Sequence, residues 1–411
     1  PFYHPAGPLR AAEAESAPAR PRLSFPPGVA SGDPRPEAVM LWTRAVPAGP
    51  PGPVALLLEV SEDPDFQQLL LREKLHADPA SDYTVRAYVD ELQPDRTYYY
   101  RFRGGEHSVS RSGRTRTAPA SGQSPRVNLA FASCQNFEQA YYGAWARMIA
   151  DDQAAAENER IHFVLHLGDF IYERLWDQQP GGDPQPRRLP DFPDGVSSEK
   201  SRRAVTLADY RHLYKRVLED PHLQAARARW PFVCVWDDHE FSNNAHQSYS
   251  TYGAEPVLEA QRKLDANQAW FEFIPAVLDE LRQQPSHGLR RTTLDGDAAS
   301  RNQAARDSLC IYRRLSWGGL LDIVLTDLRS YRSPHCLPQG FAESLGLPMT
   351  PVDLVELADA GSHYRQGNPP TELPYGDGSI PNPARSRPPG TLLGTTQRNW
   401  FLDTLASSGA R

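Results

Sequence analysis

The pattern of hydrophobic and polar residues changes once along the chain. From residue 24 to about 118, apolar runs such as "AVMLWTRA" and "VALLLEV" alternate with turn-rich stretches such as "SGDPRP" and "HADPASD". This pattern predicts β-strands joined by short turns. In "ELQPDRTYYYRFRGG", Tyr98, Tyr100 and Phe102 fall on one face of a strand. The preceding Leu and Pro are typical of the tyrosine corner of a fibronectin III- or immunoglobulin-like sandwich, and we expect these side chains to pack in its core.

After a linker rich in small residues at 117–125, strand-like and helix-like patterns alternate. The runs "VNLAFASC", "IHFVLHLGD" and "PFVCVWDDHE" predict buried strands, and "AYYGAWARMIADD" and "LADYRHLYKRVLED" predict helices. Such alternation indicates an α/β domain with mostly parallel strands. Further along, residues 257–272 and "TTQRNWFLDTLASSG" predict helices. A hairpin is predicted to turn at Gly318 and Gly319.

These patterns divide the chain into three parts. Residues 1–23 have no apolar period and are interpreted as a disordered leader or the remainder of a cleaved signal. Residues 24–118 form the predicted β-sandwich, and residues 119–411 form the α/β domain. Within the latter, residues 333–390 are rich in Pro and Gly, which favours a lid over a site.

Charge and cysteine content narrow the functional classes. The formal charge of −7 argues against a nucleic-acid partner. No apolar run approaches the roughly 20 residues of a membrane helix. The four cysteines are far apart and include no CxxC pair, which does not favour a zinc knuckle. Cys234 lies within "PFVCVW" and is predicted to be a small core residue.

Unusual polar residues follow the three predicted α/β strands. In open α/β sheets, ligands bind beyond the carboxyl ends of the strands, so these residues are expected to converge. In chain order they are Ser133, Cys134 and Gln135; Gly168, Asp169, Tyr172 and Glu173; and Asp237, Asp238, His239, Glu240, Asn243 and Asn244.

This mixture of side chains fits a metal centre. Carboxylate and amide oxygens suit hard cations such as Ca²⁺, and a deprotonated phenol or thiol favours a strongly polarising ion such as ferric iron. An Asp can bridge two metals, and His239 could donate to a phosphate oxygen. Each residue alone has a simpler interpretation, as a helix cap, a turn residue or a core thiol. Their occurrence at three successive strand ends favours a site.

Six longer motifs extend this pattern over most of the chain. They are "FASCQNFEQAYYGAW", "VLHLGDFIYE", "YRHLYKRVLEDPHLQ", "WDDHEFSNN", "LTDLRSYRS" and "LGTTQRNWFLDTL". In order and spacing the chain resembles the alkaline phosphatase D (PhoD-type) family of calcineurin-like metallophosphoesterases. The resemblance implies an α/β fold: a four-layer α+β metallophosphoesterase sandwich of two sheets flanked by helices. It also implies a preceding all-β fibronectin III- or immunoglobulin-like domain.

The resemblance also implies a pair of metal ions, ferric iron and calcium. By family resemblance, Cys134 and Tyr172 would be iron ligands and Asp169 would bridge iron and calcium. Asp238 would be a ligand on the calcium side, and Asn243 is a weaker candidate for metal or substrate.

Two further residues are candidates for contact with the substrate. His239 would contact the scissile phosphate. Arg329, in the segment that also holds Asp327, would contact phosphate or form a salt bridge that organises the loop. Glu173 receives no assignment beyond orienting its loop.

One departure from the family pattern concerns the carboxyl-terminal part. The family carries a late GD-x-H segment that supplies further metal ligands, and no such segment follows "QRNWFLDTLASSGA". We therefore expect an incomplete family domain with part of its sheet edge uncovered.

The predicted function is metal-dependent hydrolysis of phosphate mono- and diesters with a metal-activated water. One alternative is a phosphodiesterase of the phospholipase D type on the same site. Another is an inactive fragment or a non-catalytic surface-binding protein. We further predict a monomer with a phosphate ester as its substrate. The family resemblance implies export by the twin-arginine route.

Overall fold

The computed structural model describes residues 22–104, 107–178, 182–198, 200–253, 255–278, 289, 292–338 and 340–410. Across these ranges, no helix has the length and apolar character needed to cross a membrane.

The amino-terminal part is built from short strands, as the alternation predicts. In chain order they are Leu23–Ser24 (β1), Val29–Gly32 (β2), Val39–Arg44 (β3), Val46–Pro47 (β4), Val54–Ser61 (β5), Leu69–Ala77 (β6), Thr84–Val89 (β7), Thr97–Arg103 (β8) and Gly113–Arg116 (β9). A four-stranded sheet in the order β6-β5-β8-β9 packs against β2, β3 and β7. Their facing apolar side chains form one core, so this part is a β-sandwich.

Strand β8 shows the predicted tyrosine corner. Tyr98, Tyr100 and Phe102 are 1 %, 0 % and 0 % exposed, which confirms that they share the buried face. The Tyr98 hydroxyl accepts a hydrogen bond from the backbone N–H of Gln93 at 2.8 Å. This bond to the chain upstream is the feature that defines the corner in immunoglobulin-like sandwiches.

The second part mixes strands and helices. Its strands are Leu129–Ala132 (β10), Phe163–His166 (β11), Arg174–Trp176 (β12), Val196–Ser197 (β13), Ser201–Arg203 (β14), Pro231–Cys234 (β15), Tyr249–Ser250 (β16), Val257–Leu258 (β17), Arg313–Trp317 (β18), Leu321–Leu325 (β19), Glu372–Tyr375 (β20) and Gly378–Pro381 (β21). Its α-helices are Gly143–Ala154 (α1), Leu207–Val217 (α2), Pro221–Arg229 (α3), Ala260–Phe273 (α4), Ala298–Arg306 (α5), Phe341–Ser344 (α6), Val352–Ala360 (α7), Tyr364–Gly367 (α8) and Gly394–Ala406 (α9).

The main sheet joins the two parts of the chain. Its order is β10-β11-β15-β2-β3-β7, and β10, β11 and β15 are parallel, as predicted. Strand β2 of the sandwich continues the sheet because Ser31 and Gly32 pair in parallel with Pro231 and Phe232 of β15. The sequence patterns did not predict this connection. Strands β10, β11 and β15, which are parallel neighbours, therefore belong to a sheet that extends into the sandwich.

Helices cover one face of this sheet and a second, smaller sheet covers part of the other. The helical side forms the largest apolar core, to which Tyr214, Trp230 and Trp270 contribute. On the opposite face, the β18–β19 hairpin packs Trp317 and Leu325 against the sheet. The predicted order, a β-rich part followed by a mixed α/β part with two sheets and flanking helices, is confirmed.

Strand β10 was wrongly predicted to be buried. It lies at an edge of the sheet, where Ala130 and Ala132 face the helical core. Leu129 and Phe131 face the other way, and their side chains are 37 % and 72 % exposed because no described element covers them. The apolar composition of the strand therefore overstated its burial.

The sequence patterns also missed two helices and the structure of a long segment. Helix α3 begins with Asp220, whose side chain accepts hydrogen bonds from the N–H groups of His222 and Leu223, and with proline at the first position. That Asp-Pro start is a helix signal that could have been used. Helix α5 was also missed. Residues 333–338 and 340–390 include α6, α7, α8 and the β20–β21 hairpin, which pack around a small core of their own.

Candidate active site

The loop after β11 depends on a glycine. Gly168 has a φ of +105°, and a Cβ atom there would lie 2.5 Å from the backbone nitrogen of Asp237. Only glycine allows the two loops to approach so closely. Asp169 follows with a φ of 53°, an uncommon conformation for a non-glycine residue. The glycine therefore brings Asp169 directly against the loop that follows β15.

Glu240 ties these two loops together. Its buried carboxylate accepts hydrogen bonds from the backbone N–H groups of Asp169 at 3.0 Å, Phe170 at 2.6 Å and Asp237 at 2.7 Å. Burial and the charge of Asp169 raise the pKa of Glu240, and the three N–H donors oppose this by favouring the ionised carboxylate. The sequence pattern placed this residue at a strand end without giving it a role.

Four of the five predicted metal ligands, Cys134, Asp169, Tyr172 and Asp238, lie together at the carboxyl ends of the strands, and His239 lies with them. Asp169, Asp238 and His239 each offer one ligand atom, and these atoms lie within 4.8 Å of one another. The Tyr172 hydroxyl donates to Asp169 Oδ2 at 3.3 Å. Cys134, which has a φ of 56°, is joined to the same loop because its N–H donates to the Gly168 carbonyl at 3.2 Å. Its thiol interacts with the side chains of Asp169 and Tyr172.

The protonation of this cluster fits a cation. Burial raises the pKa of Asp169, and the carboxylate of Asp238 raises it further. Burial and the charge of Asp169 hold the pKa of Tyr172 well above its ordinary value. A hydrogen bond with Ser133 lowers the pKa of the Cys134 thiol, but burial and Asp169 outweigh it. A positive ion would favour the ionised form of every one of these donors, so the residues present fit a bound metal.

His239 is held by Glu173. Its Nδ1 lies 2.7 Å from Glu173 Oε2, and the His239 ring lies 4.2 Å from that of Tyr172, centroid to centroid. Burial lowers the pKa of His239, but the hydrogen bond and charge of Glu173 raise it to about 9. Because Glu173 engages Nδ1, the Nε2 atom is the ring nitrogen left to contact a substrate.

Glu173 makes further contacts that fix its own position. It is fully buried, and its Oε1 accepts hydrogen bonds from the backbone N–H of Asn243, at 2.7 Å, and from the Tyr252 hydroxyl. Asn243 therefore lies beside this pair, with its carbonyl accepting from Thr251. Burial would raise the pKa of Glu173, but the hydrogen bond from His239 lowers it below its ordinary value.

Arg329 was predicted either to contact phosphate or to form a salt bridge that organises its loop, and in the structure it forms a salt bridge. Its Nε lies 2.6 Å from Asp237 Oδ1, and its Nη2 lies 3.3 Å from Asp238 Oδ1. The buried Asp327 carboxylate accepts from the backbone N–H groups of Arg329, at 2.9 Å, and Ser330, at 2.8 Å. Arg329 is thereby fixed beside the loop that carries Asp238 and His239.

Comparison with known families gives the family of the chain. The family model described as PhoD-like phosphatase matches residues 129–411. The chain belongs to the PhoD-like phosphatase family. A second model, PhoD-like phosphatase, N-terminal domain, matches residues 10–119.

Two individual proteins extend the comparison. Alkaline phosphatase D of Bacillus subtilis (strain 168) is 30 % identical over 406 residues, which cover 97 % of this chain and 56 % of that protein. A solved structure of PhoD superposes with a TM-score of 0.65 at 28 % identity, covering 97 % of this chain and 62 % of that one. This PhoD-like chain therefore spans little more than half the length of the curated relative.

In this PhoD-like chain, the sequence analysis gave candidate roles to the clustered side chains but not to the acids that hold the loops. Glu173 and Glu240 were noticed only as polar residues near strand ends. One sequence feature could have indicated a role for these two acids. Each of the two motifs ends in a glutamate: Glu173 is the last residue of GDFIYE, and Glu240 is the last residue of WDDHE. In the structure each acid binds the backbone of the other motif's loop.

Proposed function

We propose that this chain hydrolyses phosphate mono- and diesters with the help of metal ions bound at the carboxyl ends of β10, β11 and β15. One observation carries the proposal. Side chains from three separate strand ends form one cluster, whose members are Cys134, Asp169, Tyr172, Asp238 and His239. Membership of the PhoD-like phosphatase family supports the same reaction class.

The proposed metal ions are ferric iron and calcium. Cys134 and Tyr172 would hold the iron, Asp169 would be shared, and Asp238 would lie on the calcium side, with Asn243 as a further candidate ligand. When bound, such ions polarise a phosphoryl oxygen and lower the pKa of a water molecule. The thiol and phenol favour ferric iron, and the carboxylates suit calcium.

The protein's own groups would then position the ester and move a proton. His239, whose protonated form is stabilised by the hydrogen bond with Glu173, can donate from Nε2 to a phosphate oxygen or to the leaving group. Arg329 has five N–H donors, and two of its nitrogens are engaged by Asp237 and Asp238. Its other donors can contact a phosphate oxygen, which is the proposed catalytic contribution of this residue.

Metal reconstitution tests the proposal. The chain is stripped of metal, resupplied with ferric iron and calcium, and examined for visible absorption and for hydrolysis of an aryl phosphate monoester and diester. We expect colour from the iron–phenolate pair and turnover that requires both ions. The ratio of the two substrates then distinguishes a phosphomonoesterase from a phosphodiesterase.

A substitution provides the second part of the test. Asp169→Asn should abolish turnover, whereas Asp151→Asn, which changes an exposed carboxylate on α1, should not. Retained turnover in Asp169→Asn would overturn the proposed mechanism. A coloured, metal-loaded chain without turnover would favour the non-catalytic alternative.

A further inference from the structure

A cavity lies at the junction of the β-sandwich and the α/β part. Its volume is about 460 Å³, within the range of small-molecule sites. The sandwich contributes Arg111 and Arg114 to its lining, and the α/β part contributes Arg160 and Arg229. No lining residue is acidic.

The cavity is remote from the candidate active site. Arg160 lies just before β11, which begins at Phe163, and Arg229 lies just before β15, which begins at Pro231. Both arginines are therefore at the amino ends of strands whose carboxyl ends carry Asp169 and Asp238. The length of the sheet separates the two locations.

Only one of the four arginines forms a salt bridge among the described residues. Arg229 pairs with the buried Asp152 at 2.5 Å. The described residues offer no carboxylate within salt-bridge distance of Arg111, Arg114 or Arg160. Within the described ranges, the side chain of Arg114 makes one long hydrogen bond, of 3.4 Å, to the carbonyl of Arg229.

Two observations show that the positive charge of these arginines is unfavourable in the absence of an anion. The Nε atom of Arg160 is buried and has no hydrogen-bond partner in the part of the chain that the structure describes. Burial lowers the pKa of Arg114 and the neighbouring charge of Arg229 lowers it further, and Asp152 and Tyr99 offset this only in part. A bound anion would supply both the missing acceptor and the missing negative charge.

We propose that this cavity is a second anion site that binds a small multivalent phosphate anion. The guanidinium group matches phosphate because its planar N–H donors form paired hydrogen bonds with two oxygens. Arginines that enter from two parts of the protein suit an anion with more than one phosphoryl group. Such an anion would also join the β-sandwich to the α/β part. The inference does not depend on the hydrolytic activity proposed above.

Calorimetric titration of the whole chain with pyrophosphate tests the site. The chain is first stripped of metal, so that the candidate active site neither binds metal-pyrophosphate nor hydrolyses it. We expect one molecule bound per chain. The double variant Arg111→Gln/Arg160→Gln should bind at least tenfold more weakly, while Arg398→Gln, which removes an exposed arginine from α9, should match the wild type.

Two further variants and an activity assay sharpen the test. Arg160→Lys keeps the positive charge but loses the paired N–H donors of the guanidinium group. Its affinity for pyrophosphate should therefore fall between those of the wild type and the double variant. Hydrolysis of the aryl phosphate by the metal-loaded double variant should stay at the wild-type level. Equal pyrophosphate affinity in the wild type and the double variant, or no binding to the wild type at millimolar concentration, would overturn the inference.

Discussion

Glu173 Oε2 accepts a hydrogen bond from His239 Nδ1 at 2.7 Å and so connects the loops that follow β11 and β15. This hydrogen bond fixes the orientation of the His239 ring and leaves its Nε2 atom to contact a substrate. Substituting Glu173→Gln removes the charge but keeps the shape of the side chain. We expect kcat to fall by roughly tenfold to a hundredfold, the range seen when a residue that orients a ligand or catalytic group is lost. KM should change much less, because the metal-binding groups remain.

A buried acid far from the site provides the control for this variant. Glu59 is 2 % exposed and pairs with Arg101 in the sandwich. Glu59→Gln should cost stability without changing kcat. Steady-state kinetics on an aryl phosphate, with metal content measured in parallel, separates the two. A Glu173→Gln variant with wild-type kcat would show that the hydrogen bond does not position His239.

Glu240 should matter for the formation of the site rather than for turnover. Its carboxylate is the acceptor for three backbone N–H groups from two loops. In Glu240→Gln an amide NH₂ must face at least one of these donors, so a buried N–H loses its partner. We expect a loss of about 1–3 kcal/mol in the free energy of unfolding. Iron content after reconstitution should fall as well.

Urea unfolding and iron analysis check this expectation. Glu157→Gln, which changes an exposed carboxylate in a surface turn, serves as the control and should leave both quantities close to wild type. If Glu240→Gln unfolds like the wild type and retains its iron, then the three hydrogen bonds do not hold the loops together.

Gly168 and Gly182 provide a matched pair for the close approach of the loops. Both have positive φ values, +105° and +94°, but a Cβ atom at Gly182 meets nothing within 4 Å. Alanine at either position destabilises the folded chain because its side chain disfavours a positive φ. Alanine at Gly168 also collides with Asp237. We expect Gly168→Ala to be less stable than Gly182→Ala by at least about 1 kcal/mol.

Measuring the iron content of the same two variants distinguishes local backbone strain from damage to the metal site. Gly168→Ala should bind less iron, whereas Gly182→Ala should bind as much as the wild type. Equal stability and equal iron content in the two variants would show that the loops can separate without consequence for the site.

The sequence predicted side chains with a chemical signature better than side chains with a supporting role. Tyr98, Asp169 and His239 belong to motifs whose spacing itself implies a place in the fold or in the site. Glu173 and Glu240 become distinctive only when the loops meet, because their partners are backbone N–H groups and a histidine about 70 residues away. Local patterns carry no information on such contacts.

Burial was also misjudged where it depends on distant elements. Phe131 lies in an apolar run but is 72 % exposed, because the side of the edge strand on which it lies has no described neighbour. The pairing of β2 with β15 joins residues about 200 positions apart and follows from no local pattern. The order of strands in a sheet, and hence which strand is at its edge, depends on the whole chain.

His166 should make the folded chain sensitive to mild acid. It is fully buried at the end of β11, and neither ring nitrogen has a hydrogen-bond partner among the described residues. Burial lowers its pKa to about 3 from an ordinary value of 6.5. Between these two values the unfolded chain binds a proton that the folded chain does not, so stability falls as the pH falls through this window.

Replacing His166 by leucine removes this source of pH dependence. Over the 1.5 pH units from 6.5 to 5, the wild type should lose about 1.6 kcal/mol more of its free energy of unfolding than His166→Leu does. Urea unfolding of the metal-stripped chain at several pH values measures the difference. His76→Gln, which alters an exposed histidine on β6, should follow the wild type. Parallel pH profiles for the wild type and His166→Leu would mean that His166 is protonated in the folded chain as readily as in the unfolded one.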